Sequence, residues 1–390
     1  MTPFSFQGEI PASKSLMNRA LLIQSYFPQV EIKGNSNCDD VRHMKMAVVS
    51  FIQKKPIFCG DAGTVLRFMG MRCSRESGSY VLNGSERLFK RPHDDLAYLL
   101  EQLSVSCNIF SDRTEIVSQG WKKPLVPIQV RRQASSQFAS SLLLNSWNLN
   151  FDLEFDMKPG LSEGYWEMSV QMALSLGMII EKRGDLYRVP AKQTPHYYQM
   201  IMEPDYSCAF AVAAAGALRG QTLITNATAE SIQPDFRFLK IMNSMGIKII
   251  RGPQSVKIQA PEELQPVEVN LEHSPDLFPV LAVLCAFANG PSILRGAPHL
   301  VHKESNRIEK TAELLKSAGV KCTVKDDGIH IVGGGKNLAP TNFVFDPDQD
   351  HRMAMAAGLL KLKGFDIQIK NPQVINKSYP EFWKVIGLNS

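Results

Sequence analysis

Apolar positions along this chain recur in one order: a helix-length run with an apolar face, a glycine, a short alternating strand, a turn and a second short strand. In Ala312–Gly319, Leu314, Leu315 and Ala318 share a face, and Gly319 suits the left-handed position that closes a helix. The period then changes to two over Val320–Val324, breaks at Asp326-Asp327-Gly328 and resumes over Ile329–Ile331. The same order returns in Phe238–Gly246, followed by Ile247–Ile250 and Val256–Ile258. It returns again in Met172–Gly177, followed by Met178–Ile180 and Leu186–Val189. Leu96–Leu103, leading to Val105–Ile109, repeats it without the glycine.

Helices alternating with strand pairs predict an α/β chain of repeated units, each too small to bury its own apolar face. Identity between the copies is low, so the repetition is one of structure and not of a solenoid array. A length of 390 residues exceeds a usual single core and predicts two domains. With no Pro/Ser-rich linker in the chain, the polar stretch Pro190–Pro204 is the best candidate for a tight crossover between them.

Composition narrows the function only a little. Hydrophobic residues at 44% and charged residues at 21% are ordinary for a globular protein. A formal net charge of +5 is too mild to argue for nucleic acid and fits small acidic substrates as well. No apolar run reaches the ~18 residues that would span a membrane. The opening Met1-Thr2-Pro3-Phe4-Ser5 lacks the charged start and apolar middle of a signal peptide. The seven cysteines are scattered and never form Cys-x-x-Cys, which argues for reduced thiols in a cytoplasmic protein, with no zinc site or disulfide framework.

Several short clusters place cations beside hydroxyls or carboxylates at the edges of apolar runs. Ser13-Lys14-Ser15 opens an amphipathic helix with Arg19 one turn inside, and Ser13 or Ser15 can cap it. Cys59-Gly60-Asp61-Ala62-Gly63-Thr64-Val65-Leu66-Arg67 is loosely like a phosphate loop, but lacks the Gly-Lys-Ser/Thr ending of a nucleotide loop. Arg87, Lys90 and Arg91 fall in what reads as a solvated loop before a helix starting near Pro92, and Ser135-Ser136-Gln137 opens an apolar helix. Ser274-Pro275-Asp276 introduces a very apolar helix ending near Gly290, whose N-terminus would keep Asp276 ionised. Lys303, Glu304 and Arg307 stand at i, i+1 and i+4, which on a helix would put Lys303 and Arg307 on one face. Asp350-His351-Arg352 and Lys377 add two more cations. Each cluster taken alone is more often a cap, a salt bridge or a solvated face than a ligand contact.

Taken in order, the clusters resemble the 5-enolpyruvylshikimate-3-phosphate synthase family of enolpyruvyl transferases over essentially the whole chain. The motifs that carry the resemblance are Ala12-Ser13-Lys14-Ser15 with Asn18-Arg19, Gly60 to Arg67, Arg91-Pro92, Ser135-Ser136-Gln137-Phe138, Pro275-Asp276, Lys303-Glu304-Ser305-Asn306-Arg307 and Asp350-His351-Arg352-Met353-Ala354. The resemblance implies a two-domain inside-out α/β barrel fold, each domain holding three β-α-β-α-β-β units. One domain would join residues 1–11 to 204–390, and the other would hold 12–203. By motif match, phosphoenolpyruvate would be held by Lys14, Gly63, Arg91, Gln137, Arg307, Arg352 and Lys377. Shikimate 3-phosphate would be held by Lys14, Ser15, Arg19, Ser135, Ser136, Gln137, Tyr165, Asp276, His299 and Lys303. Asp276, Glu304 and Lys14 would carry the chemistry of a monomeric enzyme that needs no cofactor, no metal, no nucleic acid and no membrane.

The chain departs from the family pattern in places. Ala12 replaces a glycine, Cys38 a serine, Asn306 an aspartate, and His299 an asparagine that touches substrate. Asp61 replaces an asparagine next to phosphoenolpyruvate, putting a carboxylate beside an anion unless a cation answers it. Leu161-Ser162-Glu163-Gly164-Tyr165 lacks the usual Lys-Pro pair. Two rival readings remain: the enolpyruvyl transferase acting on UDP-N-acetylglucosamine, and a non-catalytic ligand-binding relative. Lys14-Ser15 in place of Lys-Asn, and a stretch from Ser74 to Arg91 without cysteine, weigh against the first.

Overall fold

The computed structural model describes residues 2–132 and 135–388. Its contacts divide the chain into two compact units, Met1–Ser13 with Glu203–Ser390, and Lys14–Met202.

The first unit is built on three parallel strand pairs. Phe4–Gly8 pairs with Gly220–Ile224, Glu268–Asn270 with Pro291–Arg295, and Asn342–Phe345 with Asp366–Ile369. A helix leads into the second strand of each pair: Tyr206–Arg219, Phe278–Ala286 and His351–Leu362. Parallel pairing demands such a crossover. These three helices pack on one another. Nearly every residue in them is buried, Lys361 and Arg219 being the exceptions. A helix that is apolar all round must lie inside, so here the helices form the core and the sheets cover it. Two of the sheets are completed by antiparallel hairpins, Lys248–Arg251 with Val256–Gln259 and Lys321–Lys325 with Gly328–Val332.

The second unit repeats the plan. Gln199–Ile201 pairs in parallel with Glu31–Lys33, Ile57–Phe58 with Ser77–Asn83, and Ile128–Gln129 with Leu153–Asp156. The helices Lys14–Gln24, Gly63–Ser74 and Gln137–Leu144 lie inside and pack together. Hairpins again complete two of the sheets, Ser106–Ile109 with Arg113–Gln119 and Glu181–Arg183 with Leu186–Val189.

Among the described residues, the four copies legible in the sequence fall at four hairpins of this α/β fold, the reading of the fourth ending at its first strand, Val105–Ile109. The third unit of each half departs from the expected pattern: among the described residues its sheet is a parallel pair with no hairpin. One strand is also displaced. Met178–Ile180, read as a strand, lies outside regular structure, and the pairing begins at Glu181–Arg183. The register that buries Tyr187 and Val189 sets the partner, and the apolar run before it only leads in.

Other local expectations change with the fold. The run Glu86 to His93 is not a plain loop, because Glu86–Phe89 forms a short helix whose Ser85 cap accepts from Leu88 N. The inner helix after Asp276 ends at Ala286, short of Gly290. The first helix of the second unit starts at Lys14, so Ser15 lies inside it and is not its cap.

Candidate active site

In the first unit, the starts of the inner helices carry the charged residues. Asp276 sits in the 3-10 turn Pro275–Leu277 that leads into Phe278–Ala286, and Asp350 caps His351–Leu362 by accepting from Arg352 N at 2.9 Å. Arg307 joins them. Its Nε donates to Asp350 Oδ2 at 2.7 Å, Nη1 to Asp276 Oδ1 at 2.8 Å and Nη2 to Glu304 Oε2 at 2.8 Å. Arg352 Nη2 donates to the other Asp276 oxygen at 2.6 Å, and Lys377 Nζ lies 3.8 Å from Glu304 Oε1. Ser305 Oγ donates to Asp350 Oδ2 at 3.1 Å.

The electrostatics follow from these bonds. Burial works to raise the Asp276 carboxyl, but Arg352, Arg307 and Lys303 together hold it well below its ordinary value. The helix N-terminus expected to keep it ionised is therefore secondary to two guanidinium groups. Burial likewise opposes the charge on Arg307, yet Asp350, Glu304 and Asp276 hold its proton more tightly than an ordinary arginine would. His299 is buried, and burial with Lys303 nearby lowers it to about 3, so it is a neutral imidazole at working pH. The helical face expected for Lys303 and Arg307 does not form. The helix begins at Arg307 behind an Asn306 cap, and Lys303 is extended at φ −80° and ψ −157°.

In the second unit, Lys14 Nζ pairs with Asp40 Oδ2 at 3.1 Å. Arg19 is buried, with Nε donating to Ser169 Oγ at 2.7 Å, Nη1 to Ser15 O at 2.9 Å and Nη2 to Tyr165 O at 3.1 Å. Burial lowers its proton affinity to about 9. Gly63 opens the Gly63–Ser74 helix against the Arg91 guanidinium, and a Cβ there would lie 2.9 Å from Arg91 Nη1. Gly60 has φ +56°, and a Cβ on it would fall 2.3 Å from the His43 ring. Gly60 is required by its backbone and by the His43 ring, whereas a Cβ at Gly63 would displace only the tip of the Arg91 side chain. Gln137 opens its own helix, with its backbone N–H donating to Ser135 Oγ at 3.2 Å. Its side chain donates to Thr64 Oγ1 at 2.9 Å and accepts from Arg67 Nη1 at 2.7 Å. Ser136 precedes this helix, buried, without a side-chain capping bond. Asp61 accepts from Ser85 Oγ, which ties the glycine loop to the helix leading to Arg91.

Fixed cations beside carboxylates in the first unit, and neutral donors at helix starts in the second, are residue types suited to anions and to proton transfer. Among the described residues no group of three or more His, Cys, Asp or Glu could hold a metal ion. None of the described helices is long and apolar enough to cross a membrane.

Residues 47–386 match the family model described as EPSP synthase (3-phosphoshikimate 1-carboxyvinyltransferase). The chain belongs to the EPSP synthase family. A 3-phosphoshikimate 1-carboxyvinyltransferase of Syntrophobacter fumaroxidans is 30% identical, covering 97% of this chain and 95% of its own. That of Pyrococcus abyssi is 32% identical over 83% of this chain and 76% of its own. Among solved structures, an EPSP synthase of Acinetobacter baumannii matches with a TM-score of 0.79 at 20% identity, covering 99% of this chain and 95% of that one. That likeness shows the two-domain α/β fold of EPSP synthases in this chain.

Within the first unit, the fold joins Asp276, Glu304, Arg307, Arg352 and Lys377 into one bonded set, with His299 and Lys303 in its field. Within the second it joins Ser15, Arg19 and Tyr165, then Gly63 with Arg91, and Ser135 with Gln137. Four further residues take roles that the sequence did not assign. Asp350 organises the Arg307 fork, and Arg67, also bonded to Pro92 O at 3.0 Å, links the glycine loop to Gln137 and the Arg91 turn. Asp40 answers Lys14, and Ser169 answers Arg19. The available signal was a charged residue inside an apolar helix, as at Arg67, which is buried only if paired.

Proposed function

We propose that this chain transfers the enolpyruvyl group of phosphoenolpyruvate to the 5-hydroxyl of shikimate 3-phosphate and releases phosphate. The observation that carries the reading is Arg307 shared among Asp276, Glu304 and Asp350, in a chain that matches the EPSP synthase family over most of its length. Both substrates are polyanions, so their encounter requires several fixed cations in a poorly hydrated site. By the family's motifs, Lys14, Gly63, Arg91, Gln137, Arg307, Arg352 and Lys377 would hold phosphoenolpyruvate. Ser15, Arg19, Ser135, Ser136 and Tyr165, with Asp276, His299 and Lys303, would hold the acceptor.

Chemically, the 5-hydroxyl oxygen bonds to C2 of phosphoenolpyruvate while C3 gains a proton, giving a tetrahedral adduct. The carboxylate that gave that proton then takes one back from C3, which reforms the double bond as the C2–O bond to phosphate breaks, and phosphate leaves with the bonding pair. Asp276 orients the 5-hydroxyl. Held ionised by two arginines, it is a weak base, but the hydroxyl proton becomes strongly acidic once its oxygen bonds to C2. Glu304 delivers the proton to C3, with Lys14 assisting. A substrate carboxylate that takes over donors of Arg307 removes an ion-pair partner from Glu304 and so raises its affinity for that proton. Substrate binding thereby arms the acid.

A phosphate-release assay with both substrates tests this. We expect one phosphate per enolpyruvyl ether formed. Release only with a UDP-linked amino sugar, or binding without turnover, would favour the rival readings. We further infer a cytoplasmic monomer, which sedimentation of the purified protein checks.

A further inference from the structure

We propose that Arg132 is a positioning residue for the 3-phosphate of the acceptor, acting through the turn that leads into the Glu163–Ser175 helix. The inference rests on the acceptor reading above. The Arg132 side chain is almost wholly buried. Its Nη2 donates to the carbonyl oxygens of Gly160 and Leu161, both at 3.3 Å, and its Nη1 stands 2.6 Å from Glu163 Oε2. One guanidinium thus holds the chain on both sides of Ser162.

Ser162 is the residue that needs holding. Its backbone is left-handed, at φ 57° and ψ 38°. A residue with a Cβ rarely adopts that conformation, and it persists where the surroundings over-determine it. The turn lies directly against the arginine, since a Cβ on Gly160 would fall 2.9 Å from Arg132 Cβ. One turn further on, Arg19 holds Tyr165 O and Ser169 Oγ. Two buried arginines therefore fix the segment that carries Tyr165.

Charge gives Arg132 a second role. The loop Leu161-Ser162-Glu163-Gly164-Tyr165 lacks the Lys-Pro pair of the family pattern and carries the carboxylate of Glu163 instead. A carboxylate there would repel the acceptor phosphate, and the ion pair with Arg132 cancels it. Removing Arg132 would release the turn and uncover a negative charge at once.

Kinetics on Arg132→Ala, Arg132→Lys and the Arg132→Ala/Glu163→Gln double variant test the assignment, with shikimate 3-phosphate and with shikimate, which lacks the phosphate. In Arg132→Ala we expect KM for shikimate 3-phosphate to rise about ten-fold or more, the scale of a lost charge-assisted contact. Turnover number and KM for phosphoenolpyruvate should stay within about three-fold, and activity on shikimate should not change. The double variant should recover part of the loss by removing the repulsion. Lysine restores charge without the fork, so Arg132→Lys should fall between wild type and Ala, and it carries the test if the alanine variant does not fold. Equal losses on both acceptors, or a lower turnover number at unchanged KM, would reduce Arg132 to support of the fold and overturn the proposal. Calorimetric binding of shikimate 3-phosphate separates the two readings. A wild-type protein that binds it without turnover would sink the proposed reaction and leave the clamp standing. One that does not bind it would sink both.

Discussion

Asp276 and Arg352 are 76 residues apart in sequence and 2.6 Å apart in space, Arg352 Nη2 donating to Asp276 Oδ2. Since Arg307 takes the other carboxylate oxygen at 2.8 Å, one aspartate bridges two guanidinium groups that are candidates for the donor substrate. The carboxylates of this set fix the geometry of the cations before any ligand arrives, which is the preorganisation that electrostatic catalysis requires. Breaking the set is costly: Arg307→Ala should destabilise the protein by about 3–5 kcal/mol, because buried carboxylates lose their partner. Urea denaturation checks this, and a smaller loss would mean that water reaches them.

Glu304→Gln should cut turnover by about 10²-fold or more while substrate binding stays largely intact, the usual scale for loss of an acid–base group. Glutamine keeps an oxygen for the Arg307 Nη2 bond, so the geometry survives. Near-normal turnover in this variant would remove Glu304 from proton transfer.

Gly63→Ala should raise KM for phosphoenolpyruvate about ten-fold with a smaller change in turnover number. The added Cβ would meet the tip of the Arg91 side chain at 2.9 Å. A flexible tip can yield, so thermal stability should hardly change while the donor's cation moves. An unchanged KM would show that Arg91 does not contact the donor.

Two variants of Asp61 separate its charge from its hydrogen bond. Asp61→Asn keeps an acceptor for Ser85 Oγ and removes a negative charge near the donor, so KM for phosphoenolpyruvate should fall, by about 1 kcal/mol of binding and most at low salt. Asp61→Ala also frees Ser85, which caps the helix leading to Arg91, and should raise KM. A KM that rises in the Asn variant would show that the charge itself orders the loop.

Acid should weaken the Asp276 set. Arg352, Arg307 and Lys303 outweigh burial and hold the folded carboxyl below its unfolded value. Its stabilisation is therefore complete above the unfolded value, about pH 4, and is lost as pH falls from there toward the folded value. The gap in melting temperature between wild type and Asp276→Asn should be wide at pH 7 and narrow below about pH 4. A gap that stays constant would mean that the two carboxyl values coincide.

Local elements, and the kinds of residue available to the chemistry, follow from the order of residues alone. A period of two before and after a turn requires neither partner nor context, so the hairpins Lys248–Arg251 with Val256–Gln259 and Lys321–Lys325 with Gly328–Val332 were legible from apolar alternation and glycine. The first strand of the third hairpin was displaced, and only the first strand of the fourth was read. The third unit of each half was not legible, because strands as short as Gln199–Ile201 and Asp366–Ile369 carry little periodic signal, and their pairing joins segments far apart in the chain. The order of the clusters, from Ser13-Lys14-Ser15 to Lys377, was enough to indicate the family. Which charges meet was set by the fold. Lys303 and Arg307 read as one helical face, yet the Asn306 cap starts the helix after Lys303 and turns Arg307 toward Asp276 and Asp350. Asp40 and Ser169 carry no motif, and they matter because packing of the inner helices buries Arg19 and nearly buries Lys14, where a cation needs a partner. Periodicity is a property of neighbours in the chain, whereas a desolvated charge is answered by whatever the fold brings beside it.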